Sequence, residues 1–501
     1  METSADVLII GAGSAGCVLA ARLSENPAVR VCVLEAGGHA TDPDIAIPQK
    51  WPLLAGREYD WRYRTTPQAR TAGRAHDWPR GRLIGGSSCL HAMAHVHGAK
   101  EDFRLWSEAS GSARWSYEGL LPAFRKMESS CGGPLAVMLP DAELSPVVRA
   151  YMAAGMAAGI PWRGNHNLGN LLGIAPNSLT IRAGRRVSAA DAYLDPVRGR
   201  SNLTVLARAK VHALEVSGNR VTGVRGEVDG KYTTFSAGMT LLCAGAVGTP
   251  LLLMRSGIGP AEDLAHAGVE CIADHPGIGD NLHDHLLTAG NVYRAKRPVP
   301  PSRLQHSESL TYLDSSDLTC PDGLPDIVVG CVAAPTVTEC FDRPAAGSAY
   351  TLLSGVTHPT SRGRLTLMGP GVDDPPRIDP AYLSTEHDRL LARRALETAR
   401  MIGRLPALDE WREEEIYPGI DCRSDAELDA FLERAVMTHH HPVGTCGMGS
   451  VVDADLKLEG FEGLYVVDAS VIPSITSGPI HAAVLAIAET FATEVAGAAL
   501  G

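Results

Sequence analysis

The chain has 501 residues, of which 45% are hydrophobic and 20% charged, and its formal net charge is -12. A chain of this length is expected to hold more than one domain, and its composition is that of a globular protein rather than a disordered one. The acidic balance argues against nucleic acid as a partner, because phosphate binding needs a basic surface.

The first predicted elements are an apolar strand, a glycine-rich turn and a helix that runs to Leu23. Gly11 suits the tight bend, Gly13 the close approach of the backbone to a pyrophosphate, and Gly16 the packing of helix on strand. The N-terminus of such a helix attracts phosphate charge. The residues of this turn expected to bind a dinucleotide are Gly11, Gly13, Ser14, Ala15 and Gly16.

A second apolar strand at 31–34 leads to Glu35 and Ala36, about 20 residues after Gly16. A carboxylate at this position can accept hydrogen bonds from both hydroxyls of an adenosine ribose, and it would repel a 2'-phosphate. We therefore expect Glu35 and Ala36 to contact the cofactor. The alternative is a glycine-rich turn that holds no ligand, and the placement of the acid counts against it.

The position of the first strand also bears on the compartment. Because this strand begins at residue 6, there is no room for a charged and apolar leader before it, so we expect no secretory signal and a cytoplasmic protein. The apolar run 482–488 is too short to span a bilayer and predicts a buried helix. Eleven cysteines without a CxxC pair are typical of reduced thiols rather than of disulfides or zinc ligands.

A second glycine-rich turn lies at 80–93 and is predicted to open a helix, in a place suited to another approach to a pyrophosphate. Short strands are predicted at 203–206 and 211–216, and a buried strand at 240–245 is followed by a helix. These separated pieces are expected to assemble one dinucleotide-binding domain. Between about 290 and 430, prolines and apolar runs indicate an inserted second sheet.

Two motifs near the C-terminus carry the candidate chemistry. One is the run His439-His440-His441, and the other spans 467–479. In an extended segment alternate side chains share a face, so we expect His439 and His441 on one side and His440 on the other. A neutral imidazole is suited to remove a hydroxyl proton. Histidines on opposite faces cannot all bind one ion, so no metal is expected, and core histidines without chemistry are the remaining alternative.

The glycine turn and four ordered motifs, at 80–93, 245–259, 439–449 and 467–479, resemble those of the glucose-methanol-choline (GMC) oxidoreductases. The resemblance extends from residue 5 to about residue 495. It implies a flavoenzyme that oxidises alcohols with FAD, where the glycine turn alone would also allow NAD.

The resemblance also implies roles for individual residues. His441 would be the catalytic base beside the flavin, and His439 a neighbouring or substrate contact. A helix starting at Pro479 would direct its first free amides, from Ile480 onward, at negative charge on the reduced flavin. Most family members carry His or Asn where this chain has Pro479, and Asn where it has His91. The other residues implied as cofactor contacts are Arg82, Gly85, Gly86, Ser87, His91, Ala92, Val211, Ala244, Gly245, Asp468 and Ala469.

Some of these residues have a plain structural alternative. His91 could fill space, Val211 could be a core strand residue, and Asp468 could cap a turn. Residues 305–307 are candidates to meet the substrate ring, although exposure in a loop would account for them equally well.

Four segments, at 73–93, 298–309, 355–363 and 476–490, resemble most closely those of family members that oxidise pyridoxine to pyridoxal. We therefore expect oxidation of the 4-hydroxymethyl group of pyridoxine, with molecular oxygen reduced to hydrogen peroxide. The protein is expected to be a monomer that binds neither nucleic acid nor membrane. The alternatives are another primary alcohol, choline-like or aromatic, and a protein of another class in which the flavin is structural.

The predicted fold is α/β with an α+β insert. A discontinuous, Rossmann-like FAD-binding domain takes residues 1–290 and 435–501, with excursions toward the substrate domain near 45–75 and 110–190. A substrate-binding domain built on an antiparallel sheet takes residues 291–434.

Overall fold

The computed structural model describes residues 2–319 and 323–497, and it contains two seven-stranded sheets. In chain order the strands of this part of the chain are β1 (Glu2–Ile10), β2 (Val31–Leu34), β3 (Tyr63–Arg64), β4 (Asp77–Trp78), β5 (Gly173–Pro176), β6 (Ile181–Arg182), β7 (Arg185–Arg186), β8 (Leu203–Leu206), β9 (Ala209–Ser217), β10 (Arg220–Val228), β11 (Lys231–Leu242), β12 (Ile258–Gly259), β13 (Ala273–Asp274), β14 (Leu286–Thr288), β15 (Val292–Ala295), β16 (Ser307–Leu313), β17 (Ile327–Val332), β18 (Ala349–Val356), β19 (Arg364–Thr366), β20 (Arg377–Asp379), β21 (Arg412–Tyr417), β22 (Val436–Thr438) and β23 (Leu464–Val466).

The α-helices of the same residues are α1 (Ser14–Leu23), α2 (Lys100–Ser110), α3 (Tyr117–Met127), α4 (Pro146–Ala157), α5 (Gly245–Arg255), α6 (Ala261–His266), α7 (Glu386–Gly403), α8 (Asp425–Ala435) and α9 (His481–Thr490).

The first sheet is mixed, with strand order β8-β2-β1-β11-β10-β9 and with β23 paired to β11. Strands β8, β2, β1, β11 and β23 run parallel, while β9 and β10 add antiparallel strands at one end. The apolar residues of β2 are buried throughout, as expected for a parallel strand that is covered on both faces. The predicted Rossmann-like α/β domain is confirmed.

Helix α1 begins at Ser14 and ends at Leu23, as predicted, and it packs on α9. A Cβ at Gly16 would lie 1.9 Å from the carbonyl oxygen of Gly11, so only glycine allows this close packing of helix on turn. Helix α9 is buried along its whole length. The predicted buried helix at 482–488 is therefore confirmed.

The second sheet is antiparallel, with strand order β16-β17-β18-β14-β22, and β15 connects β18 to β21. Helix α7 packs against β17 and β18. The antiparallel sheet of the predicted insert is confirmed, although β14 and β22 lie a few residues outside the limits 291–434. The limits of the two domains stay a prediction.

Two predicted helix starts differ from the structure. The turn at 80–93 opens no α-helix and contains only a 3-10 turn at Gly86–Cys89. Gly85 and Gly86 both have positive φ, 98° and 54°, and the chain turns again at Met93, so a regular helix cannot form there. Helix α9 begins at His481 instead of Pro479, with Ile480 as its N-cap.

No helix in the described residues is both long and apolar enough to cross a membrane. The ten cysteines of this part of the chain are free thiols, and most of them are buried. The eleventh, Cys320, lies outside the described residues.

Candidate active site

The segments predicted to bind the cofactor follow the carboxyl ends of four parallel strands. Gly11 follows β1, Glu35 follows β2, Ala244 lies just after β11, and Asp468 lies just after β23. Because these strands run parallel, their carboxyl ends lie at one edge of the sheet, which is where open α/β sheets bind ligands. The structure therefore brings together segments that are far apart in the chain.

The two glycine turns contact each other at this edge. Gly85 N donates to the Ala12 carbonyl oxygen at 2.7 Å. A Cβ added to Gly86 would lie 2.6 Å from Gly13 Cα. Both turns are consequently bare of side chains at their contact, as the close approach of a pyrophosphate requires.

Glu35 is 6% exposed, and its carboxylate is held by the backbone. Its Oε2 accepts from Ala12 N at 2.9 Å, and its Oε1 accepts from Gly37 N at 2.8 Å. Burial raises the pKa of Glu35 to about 7, against the lowering effect of these two donors and of Arg82. Each oxygen keeps a lone pair for a hydroxyl donor, so the site fits an adenosine ribose.

Both carboxylate oxygens of Asp468 accept two hydrogen bonds each from other residues of the protein. Its Oδ2 accepts from Gly245 N at 2.8 Å and from Thr249 Oγ1 at 2.5 Å. Its Oδ1 accepts from Ser470 N at 2.8 Å and from Ser470 Oγ at 2.6 Å. Asp468 thus caps the start of α5 and the turn that follows β23, which is the structural alternative stated for it above.

The other predicted cofactor residues are spread over the same segments. Arg82 is exposed and stacks on the ring of Trp61 at 5.4 Å, and Val211 is half-buried in β9. The rest are placed as follows: Ser14 and Ala15 open α1, Ala36 follows Glu35, Ser87 lies in the 3-10 turn, Ala92 precedes Met93, Gly245 opens α5, Ala469 follows Asp468, and Ile480 caps α9.

Ring nitrogens of His91 and His481 lack partners within the protein. His91 Nδ1 accepts from Met93 N at 3.0 Å and faces an Arg186 donor at 3.2 Å, so its proton is on Nε2. That Nε2 and both ring nitrogens of His481 are buried without a hydrogen bond to any described residue. The ring centroids of His91 and His481 are 4.5 Å apart. Burial lowers the pKa of both residues, and it lowers that of His481 to about 3. Such unsatisfied polar atoms indicate a bound group, and the polar edge of a flavin fits them.

His441 and His285 form a hydrogen-bonded pair, with 3.0 Å between their Nδ1 atoms. His285 Nε2 lies 2.8 Å from the Thr357 carbonyl oxygen, which can only accept, so His285 carries its proton on Nε2 and not on Nδ1. The proton between the two rings therefore belongs to His441 Nδ1. His441 Nε2 is left with a lone pair and no partner in residues 2–319 and 323–497, as a base requires.

His439 and His441 lie side by side, with their ring centroids 4.3 Å apart, but the segment is not extended. His440 has φ 64°, in the left-handed region, so the prediction of a regular extended run is wrong. Arg80 Nη2 donates to the His440 carbonyl oxygen at 2.7 Å and holds this bend. Burial, together with the nearby Arg80 and His76, lowers the pKa of His440 to about 3.

Asp284 holds the backbone of the base, and the sequence analysis missed both it and His285. Its Oδ1 accepts from His441 N at 2.6 Å, and its Oδ2 accepts from Thr438 Oγ1 at 2.6 Å and from Tyr382 OH at 2.5 Å. Burial raises the pKa of Asp284, and these three donors oppose the rise. The one local feature of the sequence that could have indicated these two residues is their position, since Asp284 and His285 directly precede the short apolar strand β14.

Two groups of residues have the ligand spacing of a metal site. Ring nitrogens of His285, His439 and His441 lie within 4.8 Å of one another, and so do ligand atoms of a second group, His95, His97 and Glu128. In the first group, His285 and His441 already share a hydrogen bond. In the second, the Nδ1 atoms of both histidines have no described acceptor, although metal-bound histidines usually donate through their other nitrogen. The absence of a metal stays a prediction.

A cavity lies against these histidines, with about 430 Å³ of empty space that is partly open to solvent. Its walls are mainly apolar side chains of β14, β16, β17 and β18. His285 and His439 line the cavity, and so do Ser477, Gly478 and Pro479, whereas His441 lies behind His285 and is not itself a lining residue. Among the described residues no Lys, Arg, Asp or Glu lines the cavity. Its composition is that of a site for a small neutral molecule.

Only one of the three candidates at 305–307 lines this cavity. Ser307 does so, from the first position of β16. Gln305 donates back to the Ser307 carbonyl oxygen at 2.6 Å, and His306 Nε2 lies 3.0 Å from the Gln49 carbonyl oxygen. Gln305 and His306 therefore stabilise the loop before β16.

Comparison with known proteins agrees with this geometry. Sequence patterns of the GMC oxidoreductases match residues 5–287 and 359–488. The chain is 51% identical to a pyridoxine 4-oxidase of Microbacterium luteolum, over 97% of this chain and 99% of that protein. The crystal structure of pyridoxine 4-oxidase from Mesorbium loti is 53% identical, with a TM-score of 0.96 over 98% of this chain and 99% of that chain. A formate oxidase of Aspergillus oryzae, studied for the modification of its FAD, is 26% identical with a TM-score of 0.89 over 98% of this chain and 97% of that chain.

Proposed function

This chain belongs to the GMC oxidoreductase family, and we propose that it is an FAD-dependent oxidase that converts the 4-hydroxymethyl group of pyridoxine to the aldehyde of pyridoxal. Molecular oxygen is the electron acceptor and leaves as hydrogen peroxide. The observation that carries this proposal is the free Nε2 of His441, whose Nδ1 is hydrogen-bonded to His285; His285 and His439 line a cavity for a small neutral molecule. The identity of 51% to a pyridoxine 4-oxidase over nearly the whole chain supports the substrate.

The edge formed by the ends of β1, β2 and β11 would hold the nucleotide half of FAD. Glu35 would receive the ribose hydroxyls, and the turns at 11–16 and 85–87 would receive the pyrophosphate. His91 and His481 would bind polar atoms of the flavin ring through their unpaired nitrogens, at the positive end of α9. When bound, FAD accepts a hydride from the alcohol carbon and passes the electrons to oxygen.

His441 is ready to take the alcohol proton. Burial and the neighbouring histidines lower its pKa well below the ordinary value, so the ring is neutral at pH 7. As Nε2 binds the proton, Nδ1 keeps its own and continues to donate to His285, which is held in turn by the Thr357 carbonyl. Asp284 fixes the backbone from which the ring projects. The base therefore needs little rearrangement when the proton moves.

The lining of the cavity suits a neutral pyridine alcohol. Apolar strand side chains would cover the ring faces, and Ser307, Tyr312 and Thr357 offer a few polar groups for its hydroxyls. His439 lines the cavity beside the base and would contact the substrate. The side chain of Pro479 contributes no polar atom to the reaction and forms part of the cavity wall.

The experiment that tests the proposal is the anaerobic addition of pyridoxine to the purified yellow protein. We expect full bleaching of the flavin absorbance, pyridoxal as product, and recovery of the colour with release of peroxide when oxygen is admitted. Choline and benzyl alcohol serve as comparison substrates in the same cuvette. Bleaching by one of these alcohols but not by pyridoxine would refute the substrate, and no bleaching by any alcohol would refute the activity.

We further propose the cytoplasm as the compartment and a monomer as the functional unit, with no membrane, nucleic acid or metal as partner. The same proposal assigns residues 1–290 and 435–501 to FAD binding and residues 291–434 to substrate binding. The acidic net charge of -12 supports the statement that nucleic acid is not a partner.

A further inference from the structure

A hydrogen-bonded pair of residues, Asp102 and His358, lies near the cavity, apart from the base. Asp102 stands in the first turn of α2 and is 1% exposed, and its Oδ1 accepts from His358 Nε2 at 2.9 Å. His358 Nδ1 lies 3.1 Å from the Pro325 carbonyl oxygen, to which the Thr357 hydroxyl also donates. The Asp102 carboxylate can only accept, so His358 Nε2 donates to it. His358 Nδ1 also lies 3.2 Å from the Thr357 hydroxyl, so the ring is held on both sides.

Asp102 is tied to one wall of the cavity. Its Oδ2 accepts from Ser477 N at 2.7 Å, and its Oδ1 accepts from Ser477 Oγ at 2.8 Å. Its Oδ2 also accepts from Ala99 N at 2.8 Å, at the start of α2. Ser477 forms that wall together with Gly478 and Pro479. The position of the wall before α9 therefore depends on this carboxylate.

His358 is connected through the chain to the part of the cavity wall that contains Thr357 and His285. Thr357, the residue before it, lines the cavity and offers its carbonyl oxygen to His285 Nε2 at 2.8 Å. This hydrogen bond decides that His285 Nδ1 is an acceptor and that His441 Nε2 is free. A shift of His358 would therefore move the cavity wall and the hydrogen bonds that orient the base together.

We propose that the hydrogen bond between Asp102 and His358 sets the separation of the two cavity walls, and with it the position of the alcohol relative to His441. Neither residue touches the substrate, so both are positioning residues, which act through Ser477 and Thr357. The inference rests on the proposed function for the identity of the alcohol.

Two substitutions of His358 separate the two contacts of its ring. His358→Gln places an amide near the position of Nε2 and keeps a donor to Asp102, whereas His358→Asn places the amide near Nδ1 and keeps a donor to the Pro325 carbonyl. The matched control is His212→Gln, because His212 also faces a carboxylate, that of Glu227 at 4.0 Å, and does not line the cavity.

Each holoenzyme is mixed anaerobically with pyridoxine, and the limiting rate of flavin bleaching and the half-saturating pyridoxine concentration are measured. FAD content and Tm are recorded for the same samples. Both His358 variants are expected to lose about 100-fold in the ratio of rate to half-saturating concentration, because a misplacement of about 1 Å costs this much. FAD content should stay at the wild-type level, and His212→Gln should match the wild type throughout.

A wild-type ratio in His358→Asn, which lacks the donor to Asp102, would overturn the proposal, because the hydrogen bond between His358 and Asp102 would then have no effect on the position of the alcohol. A fall in FAD content and Tm with an unchanged rate per bound FAD would also overturn it.

Ser477→Ala keeps the proposal testable if the His358 variants lose FAD. This variant removes one of the two hydrogen bonds from Ser477 to Asp102 and retains the backbone one, so a loss of about 2- to 10-fold in the same ratio is expected at an unchanged Tm. A wild-type ratio in Ser477→Ala would count against a positioning role of Asp102. If pyridoxine fails to bleach the wild type but another alcohol succeeds, the substrate assignment fails alone, and the same variants are tested with that alcohol.

Discussion

The hydrogen bond between His285 and His441 can be tested by two substitutions of similar shape. His285→Asn places a carbonyl oxygen near the position of Nδ1 and so keeps an acceptor for the His441 Nδ1 proton. His285→Gln places its amide near Nε2, keeps the contact with the Thr357 carbonyl, and removes that acceptor. The two variants therefore differ in whether the proton of His441 is held on Nδ1.

The size of the effect follows from two limits. One hydrogen bond contributes about 0.5 to 1.5 kcal/mol, which is roughly 2- to 12-fold in rate, and complete loss of a general base costs about 10² to 10⁴. Without this acceptor, the His441 ring can rotate, or it can carry its proton on Nε2. A protonated Nε2 has no lone pair with which to take the alcohol proton. We therefore expect a loss of about 10- to 100-fold in kcat/KM for His285→Gln, and less than about 5-fold for His285→Asn.

Steady-state oxidation of pyridoxine by FAD-saturated enzyme measures both values, and Tm controls for folding. Equal losses in the two variants would show that bulk or the Thr357 contact matters, rather than the acceptor. An unaffected His285→Gln variant would refute the tautomer assigned to His441.

Three other outcomes are expected. His441→Ala should remain yellow and folded but lose about 10² to 10⁴ in the rate of anaerobic bleaching by pyridoxine, while His440→Asn, which suits the left-handed backbone there, should bleach at the wild-type rate. Because burial lowers the pKa of His441, kcat/KM should be flat around pH 7 and fall only in acid, with an apparent pKa below 6.5; a value above 6.5 would contradict the buried base. Glu35→Gln should weaken FAD binding by roughly 10- to 100-fold in Kd, measured by fluorescence titration of the apoprotein, because charge-assisted hydrogen bonds to the ribose would be lost.

A fourth outcome concerns the charge of the substrate. Pyridoxine 5'-phosphate should react at least about 100-fold more slowly than pyridoxine, because a phosphate dianion buried without a cation is strongly disfavoured. No Lys or Arg lines the described cavity, so nothing there could neutralise it. Comparable kcat/KM values for the two compounds would show that the substrate enters elsewhere.

The nucleotide site is the part of the protein that local sequence predicted best. A strand, a glycine turn and a helix of fixed spacing have one stereochemical solution, and the structure places Gly11, Gly16 and Glu35 accordingly. The second glycine turn shows the limit of the same reasoning. Its glycines were recognised, but their positive φ values prevent the helix that the pattern indicated.

The histidine run shows how a local rule can fail while the side chains still meet. His439 and His441 lie together because His440 is bent into the left-handed region by a contact with Arg80, and not because the segment is a strand. The role of Asp468 was likewise decided by contacts with residues that are distant in the chain. Its position after a buried strand was recognised, but its four protein donors come from α5 and from Ser470, which no local pattern reveals.

By itself, the sequence determined the family, the Rossmann-like strand-turn-helix unit and the residue type of the base, because these depend on spacing over short stretches of chain. Only the tertiary structure decided which nitrogen of His441 is free. That choice depends on His285, directly before β14, and on Thr357, directly after β18, which are distant in the chain from His441 and meet it only when the second sheet forms. Proton position is a property of hydrogen-bond partners, and partners distant in the chain are set by packing rather than by local pattern.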